Sequence, residues 1–148
     1  MNKHEEKACR LFSEGYNCAQ AVTAAFAEEM GMSEKQAAKL ASAFGGGMGG
    51  QREVCGAVSG MYIVLGILYG YDDAKADEAK KKLYSQVQQL SNAFVEEYKT
   101  IICRELLGLN GAQKPEPTPR TPELYAQRPC LAFVASAAGI LSKFIEEN

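Results

Sequence analysis

Histidine and tryptophan are the scarcest residues of this chain, which has one histidine, His4, and no tryptophan. A Cys₂His₂ zinc site needs two histidines, so that class of site is excluded. A single histidine also disfavours a Ser-His-Asp or Cys-His catalytic pair, because His4 would have to serve as the base. His4 lies in a polar N-terminal turn, and we expect it to be a surface residue.

The chain also lacks an excess of charge of one sign, since its formal net charge is −2 over 148 residues. Proteins that bind nucleic acid usually carry a clustered basic surface, so we expect no nucleic acid among the partners. The N-terminal segment MNKHEEKACR is charged and is not followed by an apolar stretch, unlike a secretory signal. We therefore expect a cytoplasmic protein, in which structural disulfides are rare.

Charged residues are missing altogether from residues 54–71, a stretch that approaches the length of a membrane span. It contains three tyrosines and four glycines, namely Gly56, Gly60, Gly66 and Gly70. Small residues allow helices to pack closely in water as well as in lipid. We interpret the stretch as a central buried helix, and a membrane span is the less favoured alternative.

Elsewhere, apolar residues recur every three or four positions, which is typical of amphipathic α-helices. Asn17 and Ser33 are suitable N-cap residues for two of these helices. Asp72 and Asp73 are expected to begin a long amphipathic helix. Its apolar seam could serve a homodimer, although packing within the chain is the simpler use.

The absence of alternating strand patterns and of internal repeats predicts an all-α fold. We expect a single helical domain over residues 1–148, a bundle of about five to six helices around the central apolar helix. Residues 110–122 contain four of the five prolines and are predicted to form its one obvious loop.

Five cysteines are present, and no two of them form a CxxC motif. Cys9 lies in mid-helix beside Phe12 and is expected to pack as a small hydrophobic residue. The other four follow predicted helix starts, where free N–H groups and the helix dipole can stabilise a thiolate and lower its pKa. These four are Cys18, Cys55, Cys103 and Cys130.

Glycines crowd the stretch GGGMGGQREVCGAVSG at residues 45–60, and five of them precede the cysteine. A loop of this kind can aim backbone N–H groups at one centre, as in anion-binding nests, and a nearby arginine could lower the pKa of Cys55 further. Glycines on one face of the next helix would let another group approach the sulfur. A tight crossing between helices is the alternative explanation of the loop. The residues expected to support the site are Gly45, Gly46, Gly47, Gly49, Gly50, Arg52, Gly56 and Gly60.

Four segments around these cysteines resemble the C_GCAxxG_C_C family of redox-active proteins, over nearly the whole chain. They occur in the order GYNCAQAV, CGAVSG, CRELLG and PCLAF. The family name orders its central block as GCA, whereas this chain reads Cys55-Gly56-Ala57, which we take as a variant of the same block. The resemblance implies a redox or metal-linked role, and an iron–sulfur cluster is connected with some relatives.

Three functions remain open from the sequence. In the first, the four cysteines bind an iron–sulfur cluster or another metal, and the chain is an electron carrier, an oxidoreductase or a redox sensor with an unidentified partner protein. In the second, Cys55 is the catalytic nucleophile of metal-free thiol–disulfide exchange, and a nearby cysteine resolves the mixed disulfide. In the third, the chain is a non-catalytic helical binding domain with buried cysteines.

Overall fold

The computed structural model of the chain describes residues 1–109, 121 and 129–148. These residues contain no β-strand, so the predicted all-α fold is confirmed. Residues 110–120 and 122 of the predicted Pro-rich loop lie outside the described residues. A single domain over residues 1–148 stays a prediction. The eight α-helices of the described part are α1 (Lys3–Ser13), α2 (Cys18–Ala25), α3 (Ala27–Met30), α4 (Glu34–Ala41), α5 (Gly56–Tyr69), α6 (Asp77–Tyr98), α7 (Cys103–Leu107) and α8 (Cys130–Glu147).

Two short turns connect α4 to the chain that leads into α5. The first is a 3₁₀ turn, Ser42–Phe44, and the second is Gly45–Met48. The second turn is left-handed, because φ is positive at every position from 46 to 50. Its Gly49 N–H donates to the Gly45 carbonyl at 2.9 Å, which closes one turn of a left-handed helix. L-residues disfavour this conformation, and glycine adopts it without a Cβ clash.

Side-chain caps fix the starts of three helices. Asn17 begins α2 and Ser33 begins α4, as the sequence predicts, and Asn2 begins α1 in the same way. Each side chain accepts a hydrogen bond from the N–H three residues later, and that residue's side chain bonds back to the cap. The cap on α2 matters for function, because it determines where Cys18 lies.

The central apolar helix, α5, is also as predicted. It packs against α2, α6 and α8, and eight of its residues are buried. It begins at Gly56 and ends at Tyr69, a few residues inside the predicted ends. Within residues 1–109 and 129–148, each helix is either too short or too polar to cross a membrane.

Two helix boundaries differ from the sequence predictions, and the number of helices exceeds five to six. The helix predicted to follow Asn17 is broken at Phe26, a fully buried residue with φ −110° and ψ 18° that separates α2 from α3. The long helix α6 begins at Asp77 rather than at Asp72 or Asp73. The Asp73 carboxylate instead accepts the Lys75 N–H at 2.9 Å and holds a turn ahead of the helix.

The prediction that His4 is a surface residue is wrong, since its side chain is only 13% exposed. The imidazole stacks on Phe26 with ring centroids 4.2 Å apart. Its Nδ1 hydrogen-bonds with Ser142 Oγ at 2.9 Å, and its Nε2 pairs with the Glu29 carboxylate. His4 therefore ties α1 to α3 and α8.

Candidate functional site

Each of the four cysteines lies at the start of a helix, as the sequence predicts. Cys18, Cys103 and Cys130 are the first residues of α2, α7 and α8, and Cys55 is the N-cap of α5. Cys55 and Cys103 are buried, whereas Cys18 and Cys130 are partly exposed. Thr100 does not cap α7, because the N-cap is Ile102, but its hydroxyl accepts the Ile102 N–H at 3.1 Å.

A short antiparallel pairing brings Cys55 and Cys103 together. The Cys55 N–H donates to the Ile101 carbonyl at 2.7 Å, and the Cys103 N–H donates to the Glu53 carbonyl at 2.6 Å. Val54 and Ile102 form the bridge between these two hydrogen bonds. Backbone hydrogen bonds thereby hold the starts of α5 and α7 side by side, and they fix the positions of Cys55 and Cys103 in the chain.

Cys18 meets the site from α2. A Cβ built on Gly56 would lie 3.2 Å from the Cβ of Cys18 and 3.0 Å from the Ala19 nitrogen, so α2 passes very close to the start of α5. The expected close approach at Gly56 is therefore present. Gly60 has the same role one turn later, against Val22 and Ala19. Across the site, the thiol of Cys18 hydrogen-bonds with that of Cys130.

The four thiols also interact electrostatically. The hydrogen bond with Cys130 is the largest cause that raises the pKa of Cys18 well above its usual range, followed by burial and by negative charge on the other three thiols. Burial raises the pKa of Cys55 to about 12, and charge on Cys103 and Cys130 adds to the rise. The fold thus places the four thiols close enough for charge on some of them to change the pKa of others.

The expected lowering of the Cys55 pKa is wrong. The N–H groups of Ala57 and Val58 do hydrogen-bond its sulfur and lower the pKa, as a helix start should. Desolvation is the larger effect, because Cys55 is only 4% exposed and water cannot stabilise the thiolate. Cys9, in α1, also has a raised pKa, because of burial and then the charge of Glu5.

The glycine loop acts differently from the predicted anion nest. Every N–H group of residues 49–53 donates to a carbonyl of the loop itself. The N–H groups of residues 49 and 50 donate to Gly45, that of residue 51 to Met48, that of residue 52 to Gly46 and that of residue 53 to Gly47. They are not aimed at a sulfur. The glycines instead allow contact: a Cβ on Gly47 would lie 2.8 Å from the Cys103 Cβ, and one on Gly45 would overlap the Asn17 side chain.

Arg52 follows the loop and reaches a different thiol from the one expected. Its Nη1 donates to Cys103 Sγ at 3.7 Å, within the range of a hydrogen bond to sulfur, and Arg52 is only 9% exposed. Arg104, next to Cys103, donates from its own Nη1 to the Arg52 carbonyl at 3.2 Å and pairs with Glu53 at 3.0 Å. Sequence reasoning missed Arg104, because nothing in the motif CRELLG indicates this partner.

The donor chemistry of the site fits a soft metal. Four sulfurs from four helices are the ligand set typical of zinc or of an iron–sulfur cluster. In the described part of the chain, no three Cys, His, Asp or Glu side chains are already arranged to hold a metal ion. Metal binding at these cysteines would therefore require the thiols to lose protons and the sulfurs to move closer to a common centre.

A comparison with protein families gives one match, over residues 16–144. The matching model is described as "Putative redox-active protein (C_GCAxxG_C_C)". The matched range includes all four cysteines of the site and leaves out Cys9. Comparisons with curated proteins and with solved structures gave no match.

Proposed function

The chain belongs to the C_GCAxxG_C_C family, and from that premise we propose that it carries out redox chemistry at Cys18, Cys55, Cys103 and Cys130, with an iron–sulfur cluster or another soft metal bound there. One observation carries the proposal. Four helix starts from distant parts of the sequence bring their thiols close enough to influence one another's ionisation. Burial is the largest cause of the raised pKa of Cys55, whereas the hydrogen bond with Cys130 is the largest cause for Cys18.

Bound at these sulfurs, a cluster would accept and donate single electrons. The chain's own part is to hold the four ligands on separate helices and to limit access of water. Because thiolates rather than thiols bind metals, the thiols must release their protons. The raised pKa values of Cys18 and Cys55 predict metal affinity that increases steeply with pH.

Metal-free thiol–disulfide exchange is the second candidate, and the contact between Cys18 and Cys130 favours it. These two partly exposed thiols would be oxidised to one disulfide, giving up two protons and two electrons. A disulfide in a partner protein would accept them and become two thiols. Cys55 is a poor nucleophile for this reaction, because its pKa is raised to about 12 and its side chain is buried. The pKa of Cys18 is raised as well, so we assign the attack on the partner's disulfide to Cys130.

In either form the chain would exchange electrons with another protein, as an electron carrier or an oxidoreductase. A reducing compartment such as the cytoplasm suits a site of free thiols. We therefore propose a redox partner protein and a cytoplasmic location.

Metal analysis distinguishes the two candidates. The protein is expressed with iron, purified without oxygen, and assayed for visible absorbance, iron, zinc and acid-labile sulfide. The same assays are made on four single Cys→Ser variants of the site, with Cys9→Ser as the matched control. We expect iron and sulfide to fall in the site variants and to be unchanged in the control. A colourless wild-type protein without metal would support thiol exchange, provided that oxidised glutathione then converts Cys18 and Cys130 to a disulfide. If the wild-type protein holds no metal and also forms no disulfide between Cys18 and Cys130, the redox proposal is refuted.

A further inference from the structure

We infer that Arg52 sets the reduction potential of the four-cysteine site, by placing a cation at the sulfur of Cys103. The inference rests on the proposed redox function and adds a residue with its own role. It is carried by the contact between the guanidinium and the sulfur, and by the strained backbone that makes this contact.

The contact lies in the interior. Arg52 is 9% exposed and Cys103 is 8% exposed, so little water screens the charge. The distance from Nη1 to Sγ is 3.7 Å. The same Nη1 would lie 3.8 Å from a Cβ on Gly46, so the guanidinium passes directly along the glycine loop.

The backbone at Arg52 adopts an unfavourable conformation. Its φ is +61°, in the left-handed region that costs a residue with a Cβ about 1–2 kcal/mol. Three hydrogen bonds hold it there. The Arg52 N–H donates to the Gly46 carbonyl at 3.1 Å, and the Arg52 carbonyl accepts from the N–H and Nη1 of Arg104 at 3.1 and 3.2 Å. Strain that the surrounding structure maintains is typical of functional positions. Here it directs a charged side chain inward to a sulfur.

The effect applies to the form of the site in which Cys103 and the other three cysteines bind a cluster. Reduction adds negative charge to the cluster and its sulfurs. A cation in contact with one sulfur stabilises the more negative, reduced state. Arg52 therefore raises the reduction potential, and its removal should lower it. A disulfide between Cys18 and Cys130 does not include Cys103, so we expect no effect of Arg52 on that couple.

The test is a redox titration of the purified full-length chain against mediators of known potential, without added ligand. Visible absorbance follows the couple, and a colourless protein that forms only the Cys18–Cys130 disulfide would overturn the inference while leaving a redox function in place. Arg52→Gln should shift the equilibrium between oxidised and reduced forms by about tenfold toward oxidised. That shift corresponds to about 59 mV for a one-electron couple.

Arg104→Gln is the matched control. It removes a positive charge from the same pair of segments, but Arg104 is 36% exposed and its contacts go to oxygen atoms. Arg104→Gln loses one of the three hydrogen bonds that hold Arg52, but the two backbone hydrogen bonds remain. We therefore expect its equilibrium to change by less than about threefold. Arg52→Lys keeps the charge and loses the planar guanidinium, so its shift should lie between those of wild type and Arg52→Gln.

Equal shifts for Arg52→Gln and Arg104→Gln, or no shift for either, would overturn the inference while leaving the redox function intact. If Arg52→Gln does not fold, Arg52→Met replaces it, because methionine also removes the charge and keeps an unbranched side chain. A wild-type potential in Arg52→Met would overturn the inference. A wild-type protein without any couple that depends on the four cysteines would refute the proposed function itself, and the inference with it.

Discussion

A methyl group at Gly47 is expected to lower the stability of the fold more than one at the neighbouring glycines of the loop that have more space. The φ of Gly47 is +69°, and a Cβ built there would lie 2.7 Å from the Arg52 Cα, 2.8 Å from the Cys103 Cβ and 2.8 Å from the Glu53 nitrogen. Two of these atoms belong to the backbone, and the third is the first atom of a buried side chain. None can move away without displacing the chain around the site.

Gly47→Ala should therefore incur two costs. The left-handed conformation costs alanine about 1–2 kcal/mol, and forcing an extra methyl group into packed atoms costs about 1–3 kcal/mol. We expect the free energy of unfolding to fall by about 2–5 kcal/mol in total. Gly49→Ala isolates the first cost, because Gly49 has φ +67°, is exposed, and would place its Cβ at an ordinary 3.5 Å from the Ala43 carbonyl.

Chemical denaturation followed by circular dichroism measures both variants. Gly47→Ala should be less stable than Gly49→Ala by about 1–3 kcal/mol, with an unchanged dependence on denaturant concentration. In a thermal melt, this difference corresponds to a few degrees for each kcal/mol. Equal losses in the two variants would show that the contact between the loop and Cys103 is not tight, and the account of the glycine loop would then be wrong.

Two further predictions concern the helical frame. Desolvation raises the pKa of Glu29, but the hydrogen bond from His4, a backbone hydrogen bond and nearby positive charge together lower it below its usual value. Because the folded pKa is the lower one, Glu29 contributes stability above about pH 4.3 that is lost as the pH falls through the folded pKa. Glu29→Gln should flatten the pH dependence of unfolding in this acid range, and an unchanged slope would contradict the pairing. In α5, Gly66→Ala should raise stability by about 0.5–1 kcal/mol, since nothing lies within 4 Å of the new Cβ. Gly60→Ala should lower it by about 1–3 kcal/mol, because its Cβ would lie 3.0 Å from that of Val22. Thermal melts that give the two glycine variants the same sign would show that α2 and α5 are not packed as described.

Local signals explain which parts of the fold were predictable. The caps at Asn17 and Ser33 act within a single turn of helix, so their residue types alone identify the starts of α2 and α4. The uniformly apolar composition of α5 likewise requires a central position. Phe26 carries no comparable signal, because it breaks a helix in the middle of an alanine-rich stretch without glycine or proline.

The position of the four cysteines at helix starts was predictable, whereas their electrostatics were not. Helix starts placed the cysteines correctly, but the sign of the Cys55 pKa shift depends on how much water reaches the sulfur, which only packing determines. The target of Arg52 depends on a left-handed backbone and on the pairing of Cys55 with Cys103. Both arise from contacts between segments that are far apart in the sequence.

The wide separation of the four sulfurs along the chain has a consequence for turnover. Cys18 belongs to the second helix and Cys130 to the last one described. A group bound by both would therefore link helices that lie near the two ends of the sequence. If such a group binds the folded arrangement of sulfurs more tightly than the unfolded chain, that difference in affinity adds to global stability. Its release would then require either thiol protonation or the opening of the whole bundle. Loss of the bound group should leave a chain that is cleared by proteases faster than the loaded form.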